Sequence, residues 1–429
     1  MFGFANFLLL ALFAAAVFDL IFALARGGGL RGALHGLWNT PHLLFGQQLA
    51  EWRLQLGHIL FAAGLAAYEI SVVFCNSMAR QNWAWVQGVM SPVLEWLAFL
   101  CFGAKILFGT RYTWRELLAG GALYFIARWV YFNSQNIWWI GIVVAVLAAK
   151  DVPLRRPLQV YFASGCAAMA VVLALHFAGI VAPDLTSERM GALRGTYGYG
   201  HPNTFGGLVF GLVLAYALLR AQKVRWVDCL LVFAVGVFLL VGPASRSAAL
   251  CTLALAVGLV FCRLRAGHSV PRWWPGTCAG MVGLTAAVSY LLPLLVIKVG
   301  PWNNDIGPAW LAKLDSLLTC RISLTWMAYR LLDVKIAGQV FNWPTVDNSF
   351  AFALFQFGPV VAALLGILFA AALWGHAKQG RRVEVCCLFA MLAYAYMEVQ
   401  PFHLTTNPTA LLLCGAVFAQ ASARWQKIE

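Results

Sequence analysis

The chain of 429 residues is 62% hydrophobic and only 11% charged, and it carries a formal net charge of +14. A soluble globule cannot keep that much apolar side-chain surface away from water, so the composition excludes a soluble protein. The apolar runs match the roughly 20 residues that a helix needs to cross hydrocarbon, whereas a β-barrel would show short alternating segments. The predicted fold is therefore all-α, a polytopic helical membrane protein in which residues 1–429 form a single domain.

Taken in chain order, the apolar runs predict about thirteen transmembrane helices, within a range of about twelve to fourteen. The first run has no basic residue before it and is followed by Arg26, which is the reverse of a secretory signal peptide, so it is predicted to remain as a span. Two of the spans are short and require a hairpin tip at residues 133–136. The predicted spans cover residues 3–25, 57–76, 86–109, 117–133, 136–149, 158–180, 204–219, 226–241, 247–262, 277–297, 348–375, 385–399 and 406–423.

Basic residues fall in every second gap between these runs. By the positive-inside rule those gaps face the cytoplasm, which places the N-terminus outside and the C-terminus inside. The net charge is then a signal of topology and of anionic lipid, and it argues against nucleic acid as a partner because no basic domain stands outside the membrane. The residues that carry the pattern are Arg26, Arg31, Arg53, Arg111, Arg115, Lys150, Arg155, Arg156, Arg220, Lys223, Arg225, Arg263, Arg265, Arg272, Lys378, Arg381, Arg382, Arg424 and Lys427.

Eleven cysteines could suggest a disulfide framework. Nearly all of them lie inside or at the ends of apolar runs, where they are expected to pack as small apolar side chains. Cys320, in a long outer loop, is the exception. No CxxC pair or His/Cys spacing indicates a metal site, and neither a metal nor another cofactor is predicted.

The first informative outer gap covers residues 181–203 and is rich in glycine, which predicts an ordered loop rather than a tether. It carries Arg194 and His201, and either Asn203 or Thr204 is a plausible N-cap of the next span. Capping explains part of this pattern. A purely structural loop would not need the arginine and the histidine, so the gap is interpreted as part of a functional site.

The second outer gap is very short and holds Arg246 between Ser245 and Ser247 at the start of a span. Backbone NH groups, hydroxyls and a guanidinium can converge there on an anion. The alternative is an interfacial anchor whose side chain extends to lipid headgroups. Because the position runs against the positive-inside trend, the functional interpretation is preferred.

The third outer gap, 299–347, is the long extracytoplasmic loop, and it contains Arg321 and Arg330. Its helical pattern predicts a single helix that lies along the membrane surface. The apolar face of that helix is expected to carry Leu314, Leu317, Leu318 and Ile322.

The outer gaps also provide two candidate carboxylates. Asp347, followed by Asn348 at the start of a span, is either a favourable first-turn charge or a catalytic group. Glu398 lies at the outer end of an apolar span, where an unpaired carboxylate is costly, and it is followed by His403 and Asn407. This last gap is therefore predicted to contribute to the site.

Three further charges, Glu69, Glu95 and Arg128, lie within predicted spans. Pairing among them is expected for the two glutamates, since buried charges usually find partners. For Arg128, both a structural role and a contact with substrate remain open.

Several short motifs, each weak alone, occur in order on the predicted outer face. They are GHPN at 200–203, SRS at 245–247, TCRISLTW at 319–326, VDNSF…FG at 346–358 and the Glu398/Asn407 pair. Over about residues 190–410 the chain resembles the bacterial polysaccharide polymerases of the Wzy type, within the O-antigen polymerase and ligase superfamily. The resemblance implies a membrane glycosyltransferase with a fold of the GT-C type.

Two departures from the family pattern bear on the subgroup. Many members have glycine where Cys320 stands, and the ligase branch usually has histidine where Asp347 stands. The second departure favours a polymerase, which joins oligosaccharide repeat units carried on undecaprenyl diphosphate at the outer face of the bacterial cytoplasmic membrane. The implied partners are that lipid-linked donor and acceptor, the bilayer and, for chain-length control, a regulator protein.

The chemistry of such a transfer assigns roles to the outer residues. Arg194, Arg246 and Arg321 would clamp the diphosphate and stabilise the leaving group without a metal. The general base would be Glu398 or Asp347, ranked together, followed by His201. Candidates for contact with sugar are Tyr197, Tyr199, Asn203, Asn348, His403, Asn407, Arg128, Arg330 and Trp302.

Two other functions remain open. An O-antigen ligase would transfer the glycan to a different acceptor. A transporter of lipid-linked sugars would concentrate polar groups at the bilayer midplane and show repeated halves, whereas the polar groups here crowd one surface.

Overall fold

The computed structural model describes residues 2–26, 29–45, 51–181, 187–189, 192–296 and 307–418. Some of the predicted features lie outside these residues. They are Trp302, residues 182–186 and 190–191 of the shorter outer loop, residues 297–306 of the long loop and residues 419–423 of the last predicted span.

Among the described residues up to 177, the chain consists of helices joined by turns, with two short strands, β1 (His42–Leu43) and β2 (Arg111–Tyr112), which pair antiparallel. A π-helical turn, Val86–Met90, leads directly into the fifth helix. The helices are α1 (Phe2–Ala25), α2 (Gly29–Asn39), α3 (Glu51–Cys75), α4 (Ala79–Asn82), α5 (Ser91–Phe108), α6 (Trp114–Ser134), α7 (Ile137–Ala148) and α8 (Arg155–Phe177).

Local sequence signals set the boundary between α6 and α7. A capping box formed by Thr113 and Glu116 starts α6, and Gln135 ends it in the left-handed conformation with φ 55°. The side chain of Asn136 then accepts a hydrogen bond from the backbone N–H of Trp139 and starts α7. The predicted hairpin tip is therefore a real turn between two helices.

The C-terminal part begins with an antiparallel pair of strands, β3 (Ser187–Arg189) and β4 (Ala192–Arg194). Short 3₁₀ segments cover Leu292–Leu295, Gln400–Phe402 and Pro408–Leu413, and a π-helical turn covers Ala353–Phe357. The helices are α9 (Pro202–Leu219), α10 (Trp226–Val241), α11 (Arg246–Leu264), α12 (Trp274–Leu291), α13 (Ala309–Leu317), α14 (Arg321–Leu331), α15 (Ser349–Phe352), α16 (Pro359–Lys378), α17 (Arg382–Met397) and α18 (Cys414–Val417).

The described residues form an all-α membrane protein. By length and composition, eight helical segments among them can cross a membrane. Apolar side chains cover much of their outer surface, for example Phe7, Val241 and Ile367, which are 62%, 77% and 64% exposed. The eight segments are Gly3–Ala25, Glu51–Cys75, Val86–Phe108, Arg155–Phe177, Pro202–Leu219, Arg246–Leu264, Trp274–Leu295 and Pro359–Lys378.

The predicted uninterrupted span at 348–375 is wrong. The chain forms α15 and a π-helical turn, breaks at Gly358 and resumes as α16. Gly358 has φ 87° and ψ 164°, a conformation that is essentially restricted to glycine. A Cβ atom there would also collide with the backbone carbonyl of Ile336, so a loop that approaches from outside the helix causes the break.

The predicted single surface helix in the long loop is also wrong. It is two helices, α13 and α14, because Thr319 and Cys320 both adopt the left-handed conformation. The expected apolar face is divided accordingly. Leu317 is 68% exposed, whereas Ile322 is buried.

Two further expectations need correction. The described part of the last predicted span is a 3₁₀ segment followed by the four-residue α18, rather than a long α-helix. The first predicted cytoplasmic gap contains the amphipathic helix α2, which the sequence reasoning did not anticipate.

The helix α9 packs against α8, α11 and α17, and glycines on its surface allow these close contacts. A Cβ atom at Gly206 would collide with Ser245 at the start of α11, and one at Gly211 would lie 2.5 Å from the carbonyl oxygen of Thr405. This packing brings the first turn of α9, the first turn of α11 and the C-terminal end of α17 together.

Candidate functional site

Glu398 lies immediately after α17, in extended backbone, and its carboxylate is the centre of a buried polar network. The side chain is 5% exposed. Its Oε1 atom accepts hydrogen bonds from Arg321 Nη2 at 2.6 Å, from Ser247 Oγ at 2.7 Å and from Asn203 Nδ2 at 3.2 Å. These partners come from the starts of three different helices, so the carboxylate ties α9, α11 and α14 to the end of α17. Its Oε2 atom makes no side-chain hydrogen bond among the described residues.

Arg321 is the first residue of α14, and every part of its guanidinium group is engaged. Nε donates to the carbonyl oxygen of Met397, Nη1 donates to that of Leu318 at 2.8 Å, and Nη2 also reaches Ser247 Oγ at 3.4 Å. The ion pair with Glu398 is buried on both sides. Such a pair is stable because hydrogen bonds satisfy the remaining donors.

A second carboxylate fixes the start of α14. Asp315, which is fully buried, accepts hydrogen bonds from the backbone N–H of Ile322 at 2.7 Å and of Ser323 at 3.2 Å, and from Ser323 Oγ at 2.8 Å. The acid thus acts as a cap although it lies six residues before the helix, because the left-handed turn at 319–320 folds the chain back. This positioning role was not anticipated from the sequence.

Arg194 extends the network on the other side. Its Nη2 atom donates to Asn203 Oδ1 at 2.9 Å and to the carbonyl oxygen of Ala244 at 3.2 Å. The amide of Asn203 therefore accepts from Arg194 and donates to Glu398. The carbonyl oxygen of Asn203 accepts from Gln400, whose own side-chain oxygen accepts from Tyr394.

Two charged side chains lie beside the network without joining it. Arg246, the first residue of α11, is exposed, and its side chain makes no hydrogen bond or ion pair among the described residues. Asp347 is half-buried and likewise makes no side-chain hydrogen bond there, although its charge acts on Glu398. The guanidinium of Arg246 and the carboxylate of Asp347 are therefore available to a ligand.

Burial raises the pKa of the Glu398 carboxyl above its ordinary value. The charge of Arg321 and the hydrogen bond from Ser247 act in the opposite direction, and the negative charge of Asp347 adds to the rise. A carboxylate with a raised pKa is a better proton acceptor than an exposed one.

The helix directions add a positive field to the site. The helices α9, α11 and α14 have 18, 19 and 11 residues, and all three begin at the network. Helix N-termini carry partial positive charge and unpaired N–H groups that attract anions. Together with Arg194, Arg246 and Arg321, they make this end of the bundle suited to a phosphate-containing ligand.

His201 was predicted as a possible base, and Tyr197 and Tyr199 were predicted to contact sugar. The three side chains differ in their exposure and in the residues that they contact. His201 is exposed and is the N-cap of α9, where its Nδ1 atom accepts from the backbone N–H of Asn203 at 3.1 Å. The expected cap at Asn203 or Thr204 is therefore wrong. Tyr199 is fully buried against Phe205, so it cannot contact a sugar as predicted, and the ring of Tyr197 packs on Phe205 and Phe238.

Three polar residues predicted to contact sugar have partners within the protein: Asn348 and Asn407 bond the backbone, and His403 packs on an aromatic ring. Asn348 caps α15 and donates to Ser289 Oγ and to the carbonyl oxygen of Tyr396, both at 3.1 Å. Asn407 caps the segment Pro408–Leu413 and donates to the carbonyl oxygen of Pro401 at 2.9 Å. His403 packs on Trp138, and burial lowers its pKa to about 3, so its imidazole is neutral at ordinary pH.

The two remaining predicted arginines have other partners. Arg128 donates to Asn6 in α1 and lies over the ring of Phe132, and Arg330 lies over the ring of Trp326. The expected pairing within the spans is also wrong, because Glu69 and Glu95 form no ion pair with Arg128 among the described residues. The carboxylate of Glu69 is buried with one oxygen that has no hydrogen-bond partner.

Comparisons with protein-family models, with curated proteins and with solved structures returned no match. Among the described residues, no group of three or more His, Cys, Asp or Glu side chains is arranged to hold a metal ion. Gln400 and Asp315 are network residues to which the sequence assigned no role. The hydroxyl of Ser247 was expected to help bind an anion, and in the structure it donates to the carboxylate of Glu398.

Proposed function

We propose that this protein is a membrane glycosyltransferase that polymerises oligosaccharide repeat units carried on undecaprenyl diphosphate. The observation that carries the proposal is the convergence of three helix N-termini on the buried carboxylate of Glu398, where Arg321 bonds the carboxylate, Arg194 bonds its partner Asn203 and Arg246 precedes its partner Ser247. A lipid diphosphate needs cationic groups at the end of a membrane helix bundle, and a glycosyl acceptor needs a nearby base. The site offers both.

The three arginines contribute to diphosphate binding in different ways. Arg321 and Arg194 are held in fixed positions by Glu398 and Asn203, so they contribute preorganised positive charge. Arg246, which is exposed at the start of α11, contacts the phosphate oxygens directly. Their combined charge stabilises the diphosphate as it leaves.

The transfer step forms one glycosidic bond and breaks one sugar–phosphate bond. The hydroxyl oxygen of the acceptor attacks the anomeric carbon of the donor sugar, and the bond from that carbon to the diphosphate oxygen breaks with its electron pair on the diphosphate. A carboxylate takes the hydroxyl proton. Glu398, through its Oε2 atom, and Asp347, whose carboxylate makes no hydrogen bond among the described residues, remain the first candidates, followed by His201.

The proposal also covers the number of membrane passes, the fold type and the orientation in the membrane. About thirteen passes, a fold of the GT-C type and the bacterial cytoplasmic membrane are inferred, with the active site facing the periplasm or the extracellular side. The alternation of basic gaps supports this orientation. The lipid-linked donor and acceptor are the proposed partners, together with a chain-length regulator protein.

The direct test is reconstitution of the purified protein with lipid-linked repeat units, followed by gel analysis of the glycan. A ladder of lengthening products that is lost in Arg246→Gln but retained in the matched variant Arg272→Gln supports polymerisation at this site. Transfer of one glycan to a different lipid acceptor would identify a ligase instead and overturn the polymerase assignment.

A transporter of lipid-linked sugars is the second candidate. The helix break at Gly358 and the buried carboxylate of Glu69 are features that transporters also use. Intact protein that moves the repeat unit across vesicles without extending it would favour this function over the enzyme.

A further inference from the structure

A second charged region lies at the opposite ends of the helices that form the network. The helices α9, α11 and α17 contribute Asn203, Ser247 and Glu398 at one end. They have 16 to 19 residues, so their other ends lie about 24 to 28 Å away. A cavity of about 840 Å³ opens there, between the starts of α8 and α17 and the ends of α9 and α11.

The lining of this cavity is strongly basic. Six cationic side chains line it against one acidic side chain, Glu384. The six, referred to below as the basic cavity residues, are Arg155, Arg220, Lys223, Arg263, Arg381 and Arg382.

Only some of these charges are used within the protein. Arg220 pairs with Asp228 at 3.2 Å, and Arg382 donates to the carbonyl oxygens of Arg265 and His268. By contrast, Arg155, Lys223 and Arg263 are exposed and form no ion pair or side-chain hydrogen bond among the described residues. Gathering like charges in one cavity is unfavourable unless an anion neutralises them.

Two helix N-termini strengthen the attraction for an anion. The helix α8, of 23 residues, begins at Arg155, and α17, of 16 residues, begins at Arg382. Their partial positive charges add to those of the side chains. The site therefore combines unpaired guanidinium and ammonium groups with helix N-termini, which is the chemistry that binds phosphate.

The walls of the cavity decide which phosphate is bound. Leu219 and Val224, which are half-buried, and Ala266, which is exposed, line it beside the cations, at or just beyond the ends of membrane helices. A free phosphate ion gains nothing from apolar walls, whereas the glycerol backbone and upper acyl chains of a lipid do. We propose that this cavity binds the phosphate headgroup of an acidic phospholipid on the face of the membrane opposite the Glu398 network. This inference is independent of the proposed enzymatic function.

Native mass spectrometry and a tryptophan-fluorescence titration of the purified protein test the proposal. The lipids are phosphatidylglycerol and cardiolipin, with phosphatidylcholine as the neutral comparison and inorganic phosphate as the free anion. The variant is Arg155→Gln with Arg263→Gln. Its matched control is Arg31→Gln with Arg272→Gln, which removes the same charge from exposed positions outside the cavity.

We expect the acidic lipids to bind the wild type and the control variant equally, and to bind the cavity variant at least about tenfold more weakly. Size-exclusion profiles of the two variants should match, which excludes misfolding as the cause. Equal retention of lipid in the cavity and control variants would overturn the proposal. Inorganic phosphate that binds the wild type as tightly as phosphatidylglycerol, with the same loss in the cavity variant, would overturn the lipid assignment.

Discussion

Arg321, Arg194 and Arg246 belong to the same end of the helix bundle, but the protein holds them in different ways. Arg321 is buried and forms an ion pair with Glu398, and Arg194 is buried against Asn203 and the backbone of Ala244. Arg246 is exposed without such contacts among the described residues. The first two therefore contribute to stability as well as to any chemistry, whereas Arg246 is free for substrate.

This difference predicts a separation of stability from activity. Arg321→Gln leaves the buried Glu398 carboxylate without its ionic partner, so we expect the free energy of unfolding to fall by about 3 kcal/mol together with loss of polymer. Arg246→Gln should abolish polymer while leaving the melting temperature unchanged. Thermal unfolding in detergent and the product ladder measure the two quantities. A large fall in the melting temperature of Arg246→Gln would show that this arginine is structural.

The raised pKa of Glu398 predicts the pH dependence of transfer. If its ionised form is the base, activity falls as the pH drops through that raised pKa. Ser247→Ala removes a hydrogen bond that favours the ionised form, so the pKa should rise further and the acidic limb of the rate profile should move to higher pH. Initial rates between about pH 4 and pH 8 measure this limb. The control is Ser164→Ala in α8, and a limb that stays in place in Ser247→Ala would exclude Glu398 as the titrating base.

At the scale of secondary-structure elements, the breaks in the helices have the largest effect on the site. The break at Gly358 separates α15, which carries Asn348 and Ser349, from the long helix α16. Ser349 Oγ donates to the carbonyl oxygen of Glu398 at 2.6 Å, so the short helix supports the network directly. An uninterrupted helix would remove this support.

Substitution of Gly358 tests that role. Gly358→Ala should lower the free energy of unfolding by at least about 1–3 kcal/mol, because alanine strongly disfavours this backbone conformation and its Cβ meets the carbonyl of Ile336. Gly366→Ala, where the added Cβ meets no atom within 4 Å, is the matched control in α16. Equal melting temperatures for the two variants would contradict the strained break.

The interruptions also show where sequence reasoning ends. The apolar runs predicted most of the long helices to within a few residues. The break at Gly358 lies inside a continuous apolar run, and only the approach of the loop at Ile336 reveals it. Similarly, the predicted topology placed Arg194, Arg321 and Glu398 on one face. Which of these side chains contact one another depends on the packing of helices that lie far apart in the chain.

At the scale of the whole molecule, α9, α11 and α17 have opposite chemistry at their two ends. The Glu398 network lies at one end and the basic cavity residues at the other. The proposed positive-inside orientation would place the cavity on the cytoplasmic face of the membrane.

Cysteine labelling tests this orientation. Cys320 is the one exposed cysteine among the described residues, and it lies between α13 and α14. A membrane-impermeant maleimide should label it in right-side-out vesicles. A cysteine introduced at the exposed Gln222, in a Cys320→Ala background, should react only after the vesicles are opened. The reverse pattern would invert the topology.

We propose that the network around Glu398 catalyses extension of a lipid-linked glycan. The most direct measurement is the product ladder formed by reconstituted wild type and by Glu398→Gln, a near-isosteric change that removes the charge but retains the shape. We expect a ladder from the wild type and none from the variant, with both proteins eluting as folded species. A full ladder from Glu398→Gln would contradict the account.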